Sequence, residues 1–379
     1  MPPPPRRPLP KKRGPPGPSP EQIASRARGA LLGLAVGDAL GTTYEGKRLT
    51  ADLFPKLNEG PHTEMRGQGP WALKRGQVTD DTQQAVCLAL GLRVHRRYDV
   101  LETAKEYARW VEHAFDCSPT TRAALVQVSN GRHPEFTGKQ AWLDSGQKAR
   151  DNGALMRCAP IGVFFLWDQA ARITATLEDA QISHFSPECQ LASVILNAVI
   201  SAAITCPAEK LEKNEALKAI EAELSIAAAQ LGRQQPDWVL QVKDAADWLR
   251  EDLKASQDDD PMLYGPELHL HHNETWVRVT LRLVLWELWH APTFEAALLD
   301  VINRGGDADT NAAVTGAVFG AIYGAEEIPS RWSTEVLEVS GPGPLFNKYH
   351  PRELMTLVQN LPDAPPKALA PRPLLNAKK

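Results

Sequence analysis

The sequence has 379 residues, 43% of them hydrophobic and 23% charged, which is enough apolar material for one large core or two moderate ones. The net charge of −4 provides no basic field that would attract nucleic acid or a membrane surface, so neither is an expected partner. The five cysteines show no paired spacing, which favours a reduced, cytoplasmic protein over a disulfide framework.

The two ends of the chain differ in composition from the rest. Residues 1–18 are rich in proline and basic residues, which predicts a disordered arm, with docking to a partner as the alternative. Residues 362–379 are similar and are predicted to form a flexible tail, so that 19–361 form the folded domain. The start of the chain lacks the apolar segment of a signal peptide, and no uninterrupted apolar run reaches the roughly 18 residues of a membrane span.

The first predicted helix carries a row of glycines. Ser19 and Gln22 form a capping box, and Pro20 occupies the first helical position, so the helix is predicted to begin at residue 20. A row of glycines four residues apart lies along one face, and each costs roughly 1 kcal/mol relative to alanine, so close packing must compensate. The row comprises Gly29, Gly33, Gly37 and Gly41, and the same spacing recurs at Gly316, Gly320 and Gly324.

Helical periodicity continues along the chain and predicts an all-α fold. Strand patterns are scarce, and the strand–helix–strand alternation of an α/β protein is missing. Asn273 and Thr293 are the expected caps of two late helices, and 257–272 is predicted to be a long loop. The predicted helices span about 80–95, 100–115, 188–205, 209–231, 236–255, 274–290, 294–303 and 309–323.

Two short acidic segments each open a predicted helix. The first is Thr79-Asp80-Asp81-Thr82, and the second is Gly305-Gly306-Asp307-Ala308-Asp309-Thr310. Carboxylate and hydroxyl oxygens without histidine or thiolate suit Mg²⁺, Mn²⁺ or Ca²⁺ rather than zinc. Together the segments could hold one ion or a pair, leaving positions for water and substrate as metal-assisted hydrolysis requires. The alternative is that each segment is an ordinary helix cap.

Other ion and phosphate sites fit the sequence poorly. Neither acidic segment has the spacing of an EF-hand loop, and no Walker phosphate loop is present. The run His269-Leu270-His271-His272 is a weak metal signal, and a solvent-facing loop is favoured there over a zinc site.

Five segments, in chain order, resemble the ADP-ribosylglycohydrolase family. They are GALLGLAVGDALGTTYEG (29–46), VTDDTQQAV (78–86), DNGALMRCAPIG (151–162), SHFSPECQLAS (183–193) and FEAALLDVINRGGDADTNAAVTGAVFGAIYG (294–324). The resemblance implies a compact, orthogonal, multi-helix all-α fold with two Mg²⁺ or Mn²⁺ ions in a cleft. The implied metal ligands are Thr79, Asp80, Asp81, Asp307, Asp309 and Thr310.

The resemblance also implies a substrate-binding set. Backbone amides of the segment after Asp151 would face phosphate or ribose oxygens, and His184 would either contact the ligand or play a structural role. Some relatives carry a further aspartate slightly upstream, to which only Asp151 could correspond, and an aromatic platform to which Tyr264 or Trp276 could correspond. The implied substrate-binding residues are Asp151, Asn152, Gly153, Ala154, Leu155, Met156, His184, Gly305 and Gly306.

The implied activity is hydrolysis of the N-glycosidic bond that links ADP-ribose to a protein side chain, with arginine as the favoured acceptor. Glu45 would take a proton from the attacking water, with Asp80 or Asp307 as second candidates. On sequence alone a solvated loop carboxylate is favoured for Glu45, and the resemblance reverses this preference. An ADP-ribosylated protein is the expected partner, and a cognate ADP-ribosyltransferase is a second candidate. The alternatives are a non-catalytic ADP-ribose-binding protein, an immunity-type protein that blocks a transferase, and another metal hydrolase such as a phosphoesterase.

Overall fold

The computed structural model describes residues 17–49, 57, 60–208, 211–258, 268–341, 344–359 and 361. Its helices are α1 (Pro20–Gly41), α2 (Asp80–His95), α3 (Val100–Val111), α4 (Pro119–Ser129), α5 (Pro134–Asp144), α6 (Ala159–Phe164), α7 (Gln169–Ser183), α8 (Pro187–Thr205), α9 (Lys213–Gln234), α10 (Val239–Ala255), α11 (Val277–His290), α12 (Phe294–Arg304), α13 (Ala308–Tyr323), α14 (Ser330–Glu338), α15 (Pro344–Lys348) and α16 (Arg352–Val358). Within the described ranges the only strands are β1 (Lys47–Arg48) and β2 (Gly305–Gly306). The predicted all-α class is therefore confirmed.

Local end signals explain several helix boundaries. Ser19 Oγ accepts from the Gln22 amide at 3.2 Å while Gln22 Oε1 accepts from the Ser19 amide at 2.8 Å, which confirms the capping box. Thr293 Oγ accepts from the Ala296 amide, as predicted. The prediction for Asn273 was wrong, since α11 begins at Val277 and Asn273 lies in a turn with φ of 50°.

Several helices were not predicted, although some carry a cap that is visible in the sequence. Helix α4 begins at Ser118-Pro119, where Ser118 accepts from the Thr121 amide, and α7 begins after Asp168, which accepts from the Ala171 amide. These two caps are local sequence signals that were not used. The predicted tail 362–379, all but residues 17 and 18 of the predicted arm, and 259–267 of the predicted loop lie outside the described residues.

Helices α1 and α13 form the most extensive helix pair in the described part of the chain, and the glycine rows are the reason. A Cβ on Gly33 would lie 2.1 Å from the Gly316 carbonyl oxygen, and one on Gly320 would lie 1.9 Å from the Gly29 carbonyl oxygen. The same close approach continues to Gly41, where a Cβ would lie 2.3 Å from the Ala308 carbonyl oxygen. The two helices are therefore antiparallel and in backbone contact, which places the end of α1 beside the start of α13.

Helix α8 is a central core helix. By length and hydropathy it could cross a membrane, and it is the one described helix that meets this test, but 89% of its apolar window is buried inside the protein. It packs against α7, α9, α10 and α13, which is how a core helix of a large all-α domain is buried. Its apolar composition is thus accounted for by packing within the chain.

Candidate active site

The two acidic segments meet at the floor of a single cavity of about 870 Å³. The start of α2 contributes Asp80 to its lining, and the start of α13 contributes Asp307, Asp309 and Thr310. Glu45, from the loop after α1, also lines this floor. Helix packing therefore brings together two segments that are far apart in the sequence, and the backbone contact between α1 and α13 positions one of them.

The oxygen atoms on the floor are close enough to share a cation. One carboxylate oxygen each from Glu45, Asp307 and Asp309 lies within 4.8 Å of the others. Asp81 Oδ1 is buried without a hydrogen-bond partner among the described residues. In that same part of the chain no lysine or arginine forms an ion pair with these carboxylates. Buried, unpaired carboxylates are costly, so this donor set fits divalent cations.

Burial and the repulsion between neighbouring carboxylates raise the pKa values of the cluster. Burial, followed by neighbouring carboxylates, raises the pKa of Asp80, Asp81 and Asp309 well above the ordinary value. For Glu45, burial and then Asp307 raise the pKa to about 8. Each acid would be stabilised in its ionised form by a nearby positive ion, which is what a bound divalent cation provides.

These shifts predict how the metal-free protein responds to pH. Because the folded-state pKa values are raised, the folded state binds more protons than the unfolded state, and stability falls as pH rises. The loss is expected between about 4.5, the ordinary glutamate pKa, and about 8 for Glu45. In calorimetry with EDTA, the melting temperature should drop across this range, and Mn²⁺ should raise it more at pH 8 than at pH 5.5. A melting temperature that rises with pH in EDTA would contradict this electrostatic account.

Helix α2 is capped by a residue from another helix. Thr79 is the N-cap, yet its hydroxyl makes no capping bond and points to Asp38 Oδ1 at 2.9 Å. Asp38 instead accepts the amides of Thr79 and Thr82, at 3.0 Å and 3.1 Å. The alternative that the first acidic segment caps its own helix is therefore wrong for Thr79. Asp80 is among the residues that line the cavity, whereas Thr79 and Asp81 are buried behind it.

The loop that carries Glu45 is tied to the second acidic segment by backbone pairing. Strand β1 pairs with β2, and the Gly46 amide donates to the Gly306 carbonyl at 2.8 Å. This places Glu45 at the start of α13, where its Oε2 accepts from the Ala308 amide at 2.8 Å. The solvated-loop alternative for Glu45 does not hold, since its carboxylate faces the cleft floor.

Gly305 and Gly306 have a different close neighbour from the one expected. Both have positive φ, at 71° and 75°. A Cβ on Gly305 would lie 2.2 Å from the Lys47 carbonyl oxygen, and one on Gly306 would lie 2.6 Å from the Leu270 carbonyl oxygen. These glycines admit neighbouring backbone, and their close approach to metal or ligand stays a prediction.

The turn after Asp151 forms a side wall of the cavity, next to the acidic floor. Asn152 Nδ2 donates to Asp307 Oδ2 at 2.6 Å and to Thr280 Oγ1 at 2.9 Å, which links the turn to the acidic floor. The backbone amides of Asn152 and Met156 donate to carbonyl oxygens within the protein. These two amides therefore do not point at a ligand, although the resemblance implied that they would. Of the implied substrate-binding residues, the structure places Asp151, Asn152, Gly153 and Met156 on the cavity lining, and Ala154, Leu155 and His184 behind it.

The His184 ring contacts the site through the Asp151 carboxylate. Its Nε2 lies 3.3 Å from Asp151 Oδ2, and its Nδ1 lies 2.8 Å from Ser183 Oγ. Burial alone would raise the pKa of Asp151, but His184 and nearby hydroxyl donors, Ser118 among them, hold that pKa below its usual value. Asp151 is therefore held on the cavity wall by His184 and Ser118.

Sequence reasoning missed three contributions to the site. Asp38 lies on α1 in a stretch of small apolar residues, where a lone acid is itself a signal of a buried role. Asp116 lines the cavity, and burial followed by Asp38 and Asp307 raises its pKa to about 7. Arg157 donates to Gln84 at 2.9 Å and Gln84 donates to Asp80 at 3.1 Å, so a buried relay holds Asp80.

Two weaker candidates lose support. Trp276 lines the cavity, but its ring also has Arg150 over it at 5.4 Å and Arg278 at 5.3 Å, and its Nε1 donates to Glu188. Tyr264 lies outside the described residues. No metal-binding group that includes His269, His271 or His272 is found among the residues that the structure describes.

Comparison with known proteins identifies the family and several relatives of this chain. The family model described as ADP-ribosylglycohydrolase matches residues 19–367. The chain is 29% identical to "ADP-ribosylarginine hydrolase Tri1" of Pseudomonas putida, over 84% of this chain and 76% of the relative. It is also 29% identical to "ADP-ribosyl-[dinitrogen reductase] glycohydrolase" of Rhodospirillum rubrum, over 84% and 92%. A solved structure described as "ADP-ribosylglycohydrolase-related protein complex" aligns with a TM-score of 0.65 and 27% identity, over 89% and 99%.

Proposed function

The chain belongs to the ADP-ribosylglycohydrolase family, and we propose that it removes ADP-ribose from modified arginine side chains in a reaction that requires divalent cations. Action on ADP-ribosylated substrates follows from the family and its relatives. The single observation that supports metal dependence is the group of Glu45, Asp307 and Asp309, whose oxygens lie within 4.8 Å of one another on the cavity floor.

The residues that would hold the cations come from both acidic segments. We assign this role to Thr79, Asp80, Asp81, Asp307, Asp309 and Thr310. Bound Mg²⁺ or Mn²⁺ would supply Lewis acidity toward ribose hydroxyls and lower the pKa of a bound water. The two ions of this proposal would carry four positive charges, which would balance the four aspartates of the set.

The remaining residues of the cleft would position the sugar and move the proton. Breaking a glycosidic bond builds positive, oxocarbenium-like charge on the ribose. Glu45 would take the proton of the attacking water, since its carboxylate faces the floor and is held by the Ala308 amide. Asn152, fixed between Asp307 and Thr280, orients the wall against which the ADP-ribose would lie.

Replacing Glu45 tests the proton-transfer role. Glu45→Gln keeps the shape and removes the base, so kcat should fall about 10²- to 10⁴-fold while Mn²⁺ affinity changes less. Steady-state kinetics and Mn²⁺ titration would measure the two quantities. Glu112→Gln, an exposed acid outside the cavity lining, is the matched control and should leave kcat unchanged. An equal loss of kcat and of metal affinity in the Glu45 variant would reassign it as a metal ligand.

The acceptor is tested by direct comparison of substrates. Peptides ADP-ribosylated on arginine or on serine, with Mg²⁺, Mn²⁺ or EDTA, should release ADP-ribose fastest from the arginine peptide and only with metal. Faster release from serine would overturn the arginine assignment and leave the family activity intact. Para-nitrophenyl phosphate in the same assay separates this activity from a phosphoesterase.

A binding-only protein is the rival on the same fold. The intact carboxylate group argues against it, because a protein that only binds ADP-ribose has no need of several unpaired buried acids. ADP-ribose binding without hydrolysis of any acceptor in Mg²⁺ or Mn²⁺ would favour the rival. Direct inhibition of an ADP-ribosyltransferase by a variant that cannot hydrolyse would favour the transferase-blocking form.

A further inference from the structure

Asp38 stands between the glycine-packed helix pair and the first acidic segment. It is fully buried on α1, three residues before Gly41, where α1 meets the start of α13. Its carboxylate faces the start of α2 and makes no ion pair with a lysine or arginine among the described residues. All its hydrogen bonds in this part of the chain come from Thr79 and Thr82.

The two oxygens of Asp38 accept different hydroxyl groups from these threonines. Oδ2 accepts from the Thr82 hydroxyl at 2.6 Å and the Thr82 amide at 3.1 Å. Oδ1 accepts from the Thr79 amide at 3.0 Å and lies 2.9 Å from the Thr79 hydroxyl. The Thr79 amide also lies 3.1 Å from Oδ2, so it is the Thr79 hydroxyl that bonds to Oδ1 alone of the two oxygens.

The Thr79 hydroxyl has two carboxylates within reach and one proton to donate. Asp38 Oδ1 lies at 2.9 Å and Asp81 Oδ2 at 3.0 Å. A hydroxyl has a single O–H donor and two acceptor lone pairs, so the direction of the proton decides where the lone pairs point. If the proton goes to Asp81, one oxygen of that carboxylate accepts a hydrogen bond and is less available to a cation. If it goes to Asp38, the Thr79 lone pairs point away from Asp38 and Asp81 keeps both oxygens.

We propose that Asp38 is a positioning residue that turns the Thr79 proton away from the cleft, so that the Thr79 oxygen and the Asp81 carboxylate are both available to one divalent cation. The inference rests on the metal-dependent function proposed above. It is supported by Asp81 Oδ1, which is buried without a partner in the described structure, and by the Thr79 amide bond that holds the backbone in place. Groups behind a metal ligand commonly orient it in this way.

A purely structural role for Asp38 makes a different prediction. If Asp38 only capped α2, it would stabilise the fold through Thr79 and Thr82 alike. Substitutions of Asp38 would then lower metal affinity only to the extent that they lower the stability of the fold. A role through the Thr79 hydroxyl requires that the effect of Asp38 on metal affinity disappear when that hydroxyl is absent. A double-mutant cycle separates the two roles.

The test measures Mn²⁺ binding to the full chain by electron paramagnetic resonance of the free ion, without any hydrolysis assay. Asp38→Asn and Asp38→Ala should each weaken Mn²⁺ binding about 10- to 100-fold. In a Thr79→Val background, the same changes should have an effect within about twofold. Thr79→Ser, which keeps the hydroxyl, should bind Mn²⁺ like the wild type.

Thr82→Val is the matched control, because it removes the shorter bond to Asp38 and leaves Thr79 untouched. It should lower the melting temperature in EDTA and leave Mn²⁺ affinity within about twofold. Additive losses from Asp38→Asn and Thr79→Val, or unchanged Mn²⁺ affinity in both Asp38 variants, would overturn the proposal. If the wild type binds Mn²⁺ but hydrolyses no acceptor, the proposed function is wrong. The role of Asp38 is still tested by the Mn²⁺ affinities of these variants.

Discussion

Asp307→Ala is expected to lower the hydrolysis of ADP-ribosylarginine by on the order of 10³-fold or more, which corresponds to roughly 4 kcal/mol of transition-state stabilisation. Asp307 accepts from Asn152 at 2.6 Å and belongs to the carboxylate group that could hold a metal. Its removal would therefore disturb both the cation site and the wall of the cavity. Release of ADP-ribose, measured with saturating Mn²⁺, gives the rate.

A stability measurement distinguishes this loss from misfolding. Burial raises the pKa of Asp307, so its ionised form is unfavourable in the metal-free protein. The variant should then melt in EDTA no lower than the wild type at pH 8, while the stabilisation by Mn²⁺ should shrink. Asp244→Ala on the exposed side of α10 is the control and should change neither quantity. Normal release of ADP-ribose by Asp307→Ala would show that the reaction takes place elsewhere.

Gly37→Ala is expected to destabilise the fold by about 3 kcal/mol or more, although alanine is the better helix former. A Cβ at this position would lie 1.9 Å from the Ala312 carbonyl oxygen, which is backbone and cannot rotate away. The α1–α13 pair would have to separate, and the start of α13, with Asp307 and Asp309, would move with it. We expect a large drop in the urea midpoint and a loss of Mn²⁺ affinity in any folded fraction.

The same substitution at another helical glycine provides the control. In α9, a Cβ on Gly232 would have Val239 Cγ2 as its nearest neighbour at 3.6 Å, an ordinary van der Waals contact. Gly232→Ala should therefore raise stability by about 0.5–1 kcal/mol, because alanine loses less backbone entropy in a helix. Equal effects of the two substitutions would mean that the helix pair tolerates separation and that the close glycine contact is not required.

Much of the fold and of the site could be predicted from short-range patterns. The Ser19 cap, the Thr293 cap and the long helices follow from residues within a few positions of one another. The two acidic segments could be identified because ligand-type oxygens cluster at the start of a helix. Helices α4 and α7 were missed although each follows a local cap, Ser118 and Asp168, that the sequence shows.

The partners of individual side chains could not be predicted in this way. The sequence shows that Gly305 is suited to a tight backbone approach, but only the fold shows that Lys47 is what approaches. Likewise, His184 could be assigned to ligand or to structure from its sequence context, and its contact with Asp151 is decided by the packing of α7 against the cavity wall. Each of these contacts joins segments that are far apart along the chain.

By itself, the sequence determined the helical class, the family resemblance and the residue types able to bind a divalent cation, because these depend on composition, spacing and local caps. Only the tertiary structure decided that Asp38 caps α2, that Glu45 lies against the start of α13 and that a buried relay holds Asp80. The physical reason is that a hydrogen bond or a charge interaction acts over a few ångströms, and which groups come that close depends on the packing of the whole domain.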